Sequence, residues 1–196
     1  MIFDVGRVLI RYSPMKILND LGFSETEALE ITKIVFENEL WQELDRGSLT
    51  KKEVAELLSH NNLELKDKIE YTLENWQDHL DSIDENTLLI KEIKERGYNI
   101  YVLSNFESIA FKKLKVRYKY FDLFDDIIIS SDVKMLKPDE GIYLHLLNKH
   151  DLIPEECIFI DDMKMNIETA ERLGMKTIWF RENVVIKDEL EKMGIL

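Results

Sequence analysis

Residues 157–162 read Cys157-Ile158-Phe159-Ile160-Asp161-Asp162, an apolar run that stops at two adjacent carboxylates. A run with no polar alternation is the mark of a strand covered on both faces, as in a parallel α/β sheet. Four further segments have the same character: Ile2–Val5, Tyr98–Ser104, Ile127–Ser130 and Thr177–Phe180. With Cys157–Ile160 they make five predicted strands. Helical patterns lie between them. Glu85–Arg96 spaces Leu88, Leu89 and Ile93 on a helical period and is stopped by Gly97. Pro138 stands where a helix starts, with Asp139 and Glu140 suited to its positive end. Ile167–Leu173 is closed by Gly174. Alternating strands and helices predict an α/β fold, a doubly wound parallel sheet with right-handed crossovers.

One stretch breaks the alternation. Between Ser13 and Leu80 only helical patterns occur: Pro14–Leu21, Glu25–Leu44, Lys51–His60 and Lys66–His79, punctuated by Gly22, Gly47 and Asn61-Asn62. Helices inserted after the first strand either extend the core or form their own bundle, and the bundle is the expectation here. The expected organisation is a core of residues 1–12 and 81–196 with an α-helical cap of residues 13–80. Because the insertion leaves and re-enters near the end of the first strand, it sits over any site there.

The chain has 196 residues, enough for one core plus a small inserted module. Lys and Arg number 26 against 39 Asp and Glu, a formal charge of −13. That balance supplies no phosphate-attracting field, so a nucleic-acid partner is not expected, and an anionic substrate needs local help from a metal or a few cations. The lone Cys157 forms no intrachain disulfide and reads as a buried structural thiol. Met1–Phe3 carries no signal peptide and no long apolar run follows, so the expectation is a soluble cytoplasmic protein without a membrane partner. Oligomeric state leaves no mark in the pattern.

In an open α/β sheet, ligands bind at the C-terminal ends of the strands. Those ends are Asp4-Val5-Gly6, Ser104-Asn105, Ser130-Ser131 and Asp161-Asp162. Clustered carboxylates are ligands for a hard ion such as Mg²⁺, which would also polarise a phosphoryl oxygen. Taken singly, Asp162 or Asn105 is equally a helix cap or turn former. Their combination at several strand ends is the stronger signal.

With Leu103-Ser104-Asn105, Lys137-Pro138-Asp139 and Ile160-Asp161-Asp162 followed by Asn166, all in order behind Asp4, the chain resembles the haloacid dehalogenase-like superfamily. The resemblance spans Ile2 to about Phe180. It implies a Rossmann-like core of strand order 3-2-1-4-5 with a helical cap, and Mg²⁺-dependent hydrolysis of a small phosphorylated metabolite. By resemblance Asp4 is the nucleophile, forming an aspartyl-phosphate. By resemblance Asp4, the Gly6 carbonyl and Asp162 hold the metal, with Asp161 either a further ligand or holding metal-bound water, and Asn166 supports the metal shell or its loop. Ser104 and the Asn105 N–H bind a phosphoryl oxygen, and Lys137 neutralises charge, with Lys134 as its runner-up.

In the cap, Trp41–Gly47 resembles a segment that faces the site in relatives, and Arg46 is the expected substrate contact. Arg7 either adds charge at the site or forms a surface pair, and Trp76 either lines a pocket or packs between helices. His60, His79, His145 and His150 show no zinc spacing.

Gly6 departs from the family pattern, which usually has an aspartate there as general acid and base. Some sugar-phosphatase relatives share this Asp-x-Gly start. Either the substrate has a good leaving group, such as an anomeric sugar oxygen, or a cap residue or water supplies the proton. Two rival functions remain in view: a 2-haloacid dehalogenase, which lacks the paired acids and needs no metal, and a catalytically weak binding module. A phosphomutase would want the missing acid even more.

Overall fold

The computed structural model describes residues Met1–Leu196. Its strands are β1 (Ile2–Phe3), β2 (Ile10–Arg11), β3 (Asp81–Ser82), β4 (Tyr101–Ser104), β5 (Asp126–Ile129), β6 (Ile158–Asp161) and β7 (Lys176–Trp179). Five form one parallel sheet in the order β5-β4-β1-β6-β7. Counted without the small pair β2–β3, this is the expected order 3-2-1-4-5. Register places Phe3 beside Val102 and Ile160, so the central strand is flanked by the two strands that carry Ser104 and Asp161.

Side chains alternate across the pleat and supply two cores. Phe3, Val102 and Ile160 face one, with Ile90, Ile93, Phe111, Ile186 and Leu190. Ile2, Tyr101, Leu103 and Phe159 face the other, with Ile142, Tyr143, Leu146, Ile167 and Ala170. The apolar positions of helices α6 (Asp84–Glu95), α7 (Ser108–Arg117) and α11 (Ile186–Lys192) close the first face, and those of α9 (Glu140–Lys149) and α10 (Lys164–Arg172) the second. The short helix α8 (Ser130–Val133) follows β5 directly. Neither α7 nor α11 stands out in the sequence pattern.

The second sheet strand starts at Tyr101 rather than Tyr98. Gly97 is left-handed at φ 85°, and the Tyr98 N–H bonds back to the Ile93 carbonyl, so residue 98 finishes the preceding helix. Ile100 is claimed by Asp125, whose carboxylate accepts its N–H at 2.8 Å.

The intervening chain folds as α1 (Pro14–Asp20), α2 (Glu25–Ile31), α3 (Glu39–Arg46), α4 (Lys51–His60) and α5 (Lys66–Asn75) around Leu18, Ile31, Val35, Leu44, Val54, Leu58, Ile69 and Leu73. Ser24 with Glu27 and Thr50 with Glu53 form capping boxes that start α2 and α4. The predicted helix Glu25–Leu44 is interrupted. Thr32–Phe36 widens to a π-helix, and the Asn38 side chain accepts the Leu40 N–H at 3.0 Å to start α3 afresh. Lys66–His79 likewise tightens into a 3₁₀ turn at Trp76–His79. Ser13 caps α1, and the two chain crossings lie side by side as the antiparallel pair β2–β3, Ile10 opposite Ser82 and Arg11 opposite Asp81. No helix is long and apolar enough to cross a membrane.

Candidate active site

The strand order brings three carboxylates to one point. Asp4 follows β1, Asp161 ends β6 and Asp162 comes next, and one oxygen from each lies within 4.8 Å of the others. Asp4 is held by its own backbone, whose N–H bonds to the Ile160 carbonyl at 2.9 Å. Lys137 joins the cluster from the loop after α8. Its Nζ donates to Asp4 Oδ1 at 2.8 Å and to Asp161 Oδ2 at 2.6 Å. The Lys137 side chain is only 1% exposed, so these contacts operate away from water.

Lys137 is fixed by a residue of another strand end. The Asn105 side-chain amide donates to the Lys137 carbonyl at 2.9 Å and accepts its N–H at 2.8 Å. Sequence reading gave Asn105 a backbone role; its side chain is a two-point clamp on the lysine. Lys134 sits elsewhere: it is left-handed at φ 59° and its Nζ donates to the Gly47 carbonyl.

The two adjacent acids are not equivalent. Asp161 is fully buried and accepts four hydrogen bonds, from Lys137, the Met163 N–H and twice from the Asn166 amide. Asn166 thus serves Asp161 rather than Asp162. Asp162 accepts one side-chain bond, from Arg7 Nη1 at 3.3 Å, and turns toward open space. Arg7 itself lies over the Tyr12 ring, 5.5 Å from its centroid.

Burial pushes the Asp4 carboxyl up to about 6, although Lys137 opposes it. Burial works against the charge on Lys137 as well, but Asp161 and Asp4 outweigh it and hold the ammonium above its ordinary range. Burial, then Asp161, raise Asp162, with Arg7 opposing. Two cations therefore face three carboxylates, which leaves room for further positive charge.

These groups form the floor of a cavity of about 420 Å³ between the sheet ends and the inserted helices. Asp4, Gly6, Arg7, Asn105, Lys137 and Asp162 line its floor. An aromatic wall stands above: Tyr12, Phe36, Trp41, Trp76 and Phe106, with Trp41 and Trp76 centroids 5.0 Å apart. Trp76 does both things expected of it, lining the cavity while 1% exposed among Trp41, Tyr12 and Phe106. Glu37, Asn38, Glu39 and Gln42 complete the polar part of the wall.

Ser104 ends β4 beside Asn105, 1% exposed, and is outside the lining. Arg46 also lies outside it; its guanidinium is 3.6 Å from Glu43 and 4.0 Å from Asp139. The inserted residue that does face the cavity is its neighbour Asp45. Trp41 and Asp45 are four apart and share a helix face, the sequence signal that sets Asp45 beside the aromatic wall. The four histidines are outside the site, and His150 Nε2 meets Asp126 Oδ2 at 2.6 Å.

Known proteins resemble this chain over most of its length. A sesquiterpene phosphatase of Aspergillus oryzae is 27% identical over 196 residues, 98% of this chain and 94% of the relative. A haloacid dehalogenase family enzyme of Bacteroides thetaiotaomicron, solved with magnesium and inorganic phosphate, superposes with a TM-score of 0.72 at 22% identity, covering 96% of each chain. An L-2-haloacid dehalogenase of Xanthobacter autotrophicus, solved with chloropropionic acid covalently bound, gives 0.70 at 14% identity, covering 100% of this chain and 83% of the other. Backbone likeness alone therefore does not choose between attack on phosphorus and attack on carbon. The family described as haloacid dehalogenase-like hydrolase matches residues 15–180. The chain is a member of that hydrolase family, with phosphatases among its relatives.

Proposed function

We propose that this protein is a Mg²⁺-dependent phosphomonoester hydrolase that acts on a small phosphorylated metabolite through an aspartyl-phosphate on Asp4, with residues 13–80 serving as its cap. The observation that carries this reading is the buried Asp4–Lys137–Asp161 contact at the floor of the cavity, with Asp162 beside it held only by Arg7. Three carboxylates converging within 4.8 Å are a hard-oxygen donor set that suits Mg²⁺. Asp4, the Gly6 carbonyl and Asp162 would hold the ion, with Asp161 bound up in its own hydrogen bonds and orienting the loop. When bound, the ion supplies charge neutralisation at the phosphoryl oxygens and permits approach of one anion to another.

The remaining work belongs to the chain. The Asp4 carboxylate attacks phosphorus, and the ester oxygen leaves with the bonding pair. Lys137, positioned by Asn105, holds the carboxylate in one orientation and offsets the negative charge that gathers there. Ser104 and the Asn105 N–H serve the phosphoryl oxygens. Water then cleaves the aspartyl-phosphate and restores Asp4. The aromatic wall and the polar groups near it suit a leaving group with an apolar face and hydroxyl edges, such as a sugar. An isoprenoid chain would use the aromatic wall alone. Arg46 would contact substrate by giving up Glu43 and Asp139. The buried lone thiol and the lack of a membrane-crossing helix accord with action in the cytoplasm.

A dehalogenase has no use for the third carboxylate, so Asp162 argues for phosphorus. The test is phosphate release from a panel of sugar, nucleotide and isoprenyl monophosphates, with Mg²⁺ and with chelator, for wild type and Asp4→Asn. The reading requires metal-dependent release that the substitution abolishes. Full turnover of a 2-haloacid in excess chelator would replace it with dehalogenation.

A further inference from the structure

Attack by Asp4 leaves an oxyanion on the departing group, and Gly6 supplies no side chain to protonate it. An ideal Cβ at Gly6 would meet nothing within 4 Å, so the space an acid would occupy there is open. The proton must come from elsewhere on the cavity wall. Lys137 is locked between two carboxylates, and Asp162 is paired with Arg7. Glu37 and Glu39 are exposed at the rim and open to water. Burial drives the Tyr12 hydroxyl far above its ordinary value, which makes it a poor donor. One sheltered carboxyl remains, Asp45, contributed by the inserted helices across the cavity from Asp4.

Building on the phosphatase reading above, we propose that Asp45 is the general acid and base of the reaction, standing in for the side chain that Gly6 lacks. Its placement is fixed from the core side. The Asp45 carbonyl accepts from the Ser130 hydroxyl, and two residues on the Gly47 carbonyl accepts from Lys134. Gly47 ends α3 in the left-handed region at φ 72°, and a Cβ there would lie 2.6 Å from the Ser131 carbonyl oxygen. The last turn of α3 is thereby seated on α8, and the Asp45 backbone is anchored to the sheet end. The groups that act on it are Glu107 and Asp4, which oppose its charge, and Trp41 of its own helix, which favours it; Asp45 in turn acts on Tyr12. Burial first, then the charges of Glu107 and Asp4, push its carboxyl up to about 8, so it carries a proton at neutral pH.

In the first half-reaction, an Asp4 oxygen bonds to phosphorus and the ester P–O bond breaks. The electron pair stays on the leaving oxygen, which takes the proton from Asp45. In the second, the Asp45 carboxylate takes a proton from water as the water oxygen bonds to phosphorus. The bond from phosphorus to Asp4 then breaks with its pair returning to the carboxylate, and both residues are restored.

The test uses substituted phenyl phosphates, which vary leaving-group acidity at nearly constant shape, with wild type, Asp45→Asn and Asp45→Glu in Mg²⁺. Wild type should show a shallow dependence of kcat/KM on leaving-group pKa. Asp45→Asn should match it on the most acidic phenol and fall behind by roughly 10²–10⁴-fold on the least acidic, the range general acid catalysis supplies. Asp45→Glu should recover part of the shallow slope. Asp45→Asn should also accumulate phosphoryl on Asp4 with the good leaving group, because deprotonation of water has lost its base. Equal slopes for wild type and Asp45→Asn, or an even loss across the series in both variants, would overturn the role of Asp45 while leaving Asp4 chemistry intact. No phosphate release by wild type from any ester would overturn the phosphatase reading and this role with it.

Discussion

Replacing Lys137 by methionine keeps most of the side chain's volume and removes its charge. The ammonium touches Asp4 at 2.8 Å and Asp161 at 2.6 Å, and those residues are 7% and 0% exposed. Removing one partner of a buried ion pair costs about 3–5 kcal/mol, because the other charge is left without compensation. For a chain of this size each kcal/mol lowers Tm by roughly 2–4 °C, so the expected fall is roughly 6–20 °C. The loss is bounded because the stranded carboxylates share a proton instead of both ionising. That sets its sign with pH. Without Lys137 the Asp4 carboxyl, already up at about 6 in wild type, is pushed higher still, so the variant's stability falls more steeply as pH rises and its deficit against wild type narrows in mild acid. Mg²⁺ should also narrow it, since the site without Lys137 is one charge more negative; an ion at about a hundred times its Kd adds ~2.7 kcal/mol. The assay is urea denaturation of both proteins in chelator and in Mg²⁺, at neutral and acidic pH. A deficit under about 1 kcal/mol at neutral pH, or one unchanged by acid, would refute a buried ammonium bridging two charged carboxylates.

Other substitutions probe the walls of the site. Asp45→Asn should remove a pH dependence of stability. Its carboxyl has a folded value of about 8 against an ordinary 3.8, so wild-type stability falls as pH rises between those values and levels off above; thermal melts should show the variant gaining on wild type through that window. Gly47→Ala forces a left-handed residue and a contact 2.6 Å from the Ser131 carbonyl oxygen, and should cost about 1–3 kcal/mol in denaturant melts. Trp76→Ala empties the centre of the aromatic wall; calorimetry should show a loss of about 3–5 kcal/mol.

The sheet was legible because its three central strands β1, β4 and β6 are buried on both faces and therefore nearly continuously apolar, and the polar residues closing them marked the site end. Asp4, Asp161 and Asp162 were found because each closes an apolar run, and Lys137 through the resemblance carried by Lys137-Pro138-Asp139; the helix that follows starts at Glu140, so Pro138 lies in the turn before it. Side-chain direction was not legible. Asn105 and Asn166 were recognised by position, yet only the fold shows that one grips the Lys137 backbone and the other saturates Asp161. Arg46 was singled out through the resemblance of Trp41–Gly47 to a site-facing segment, yet in the fold its neighbour Asp45 is the one that lines the cavity. The π-helix at Thr32–Phe36 and the two-residue strands β2 and β3 are too short to leave a periodic signal.

The central claim is that Asp4 becomes phosphorylated. The most direct measurement is acid quenching during turnover of a hydrolysed monoester in Mg²⁺, followed by mass analysis of the peptide that contains Asp4. A phosphoryl increment on Asp4, absent in chelator and in Asp4→Asn, is the predicted result. Sustained hydrolysis by Asp4→Asn, or phosphoryl found on another side chain, would contradict the account.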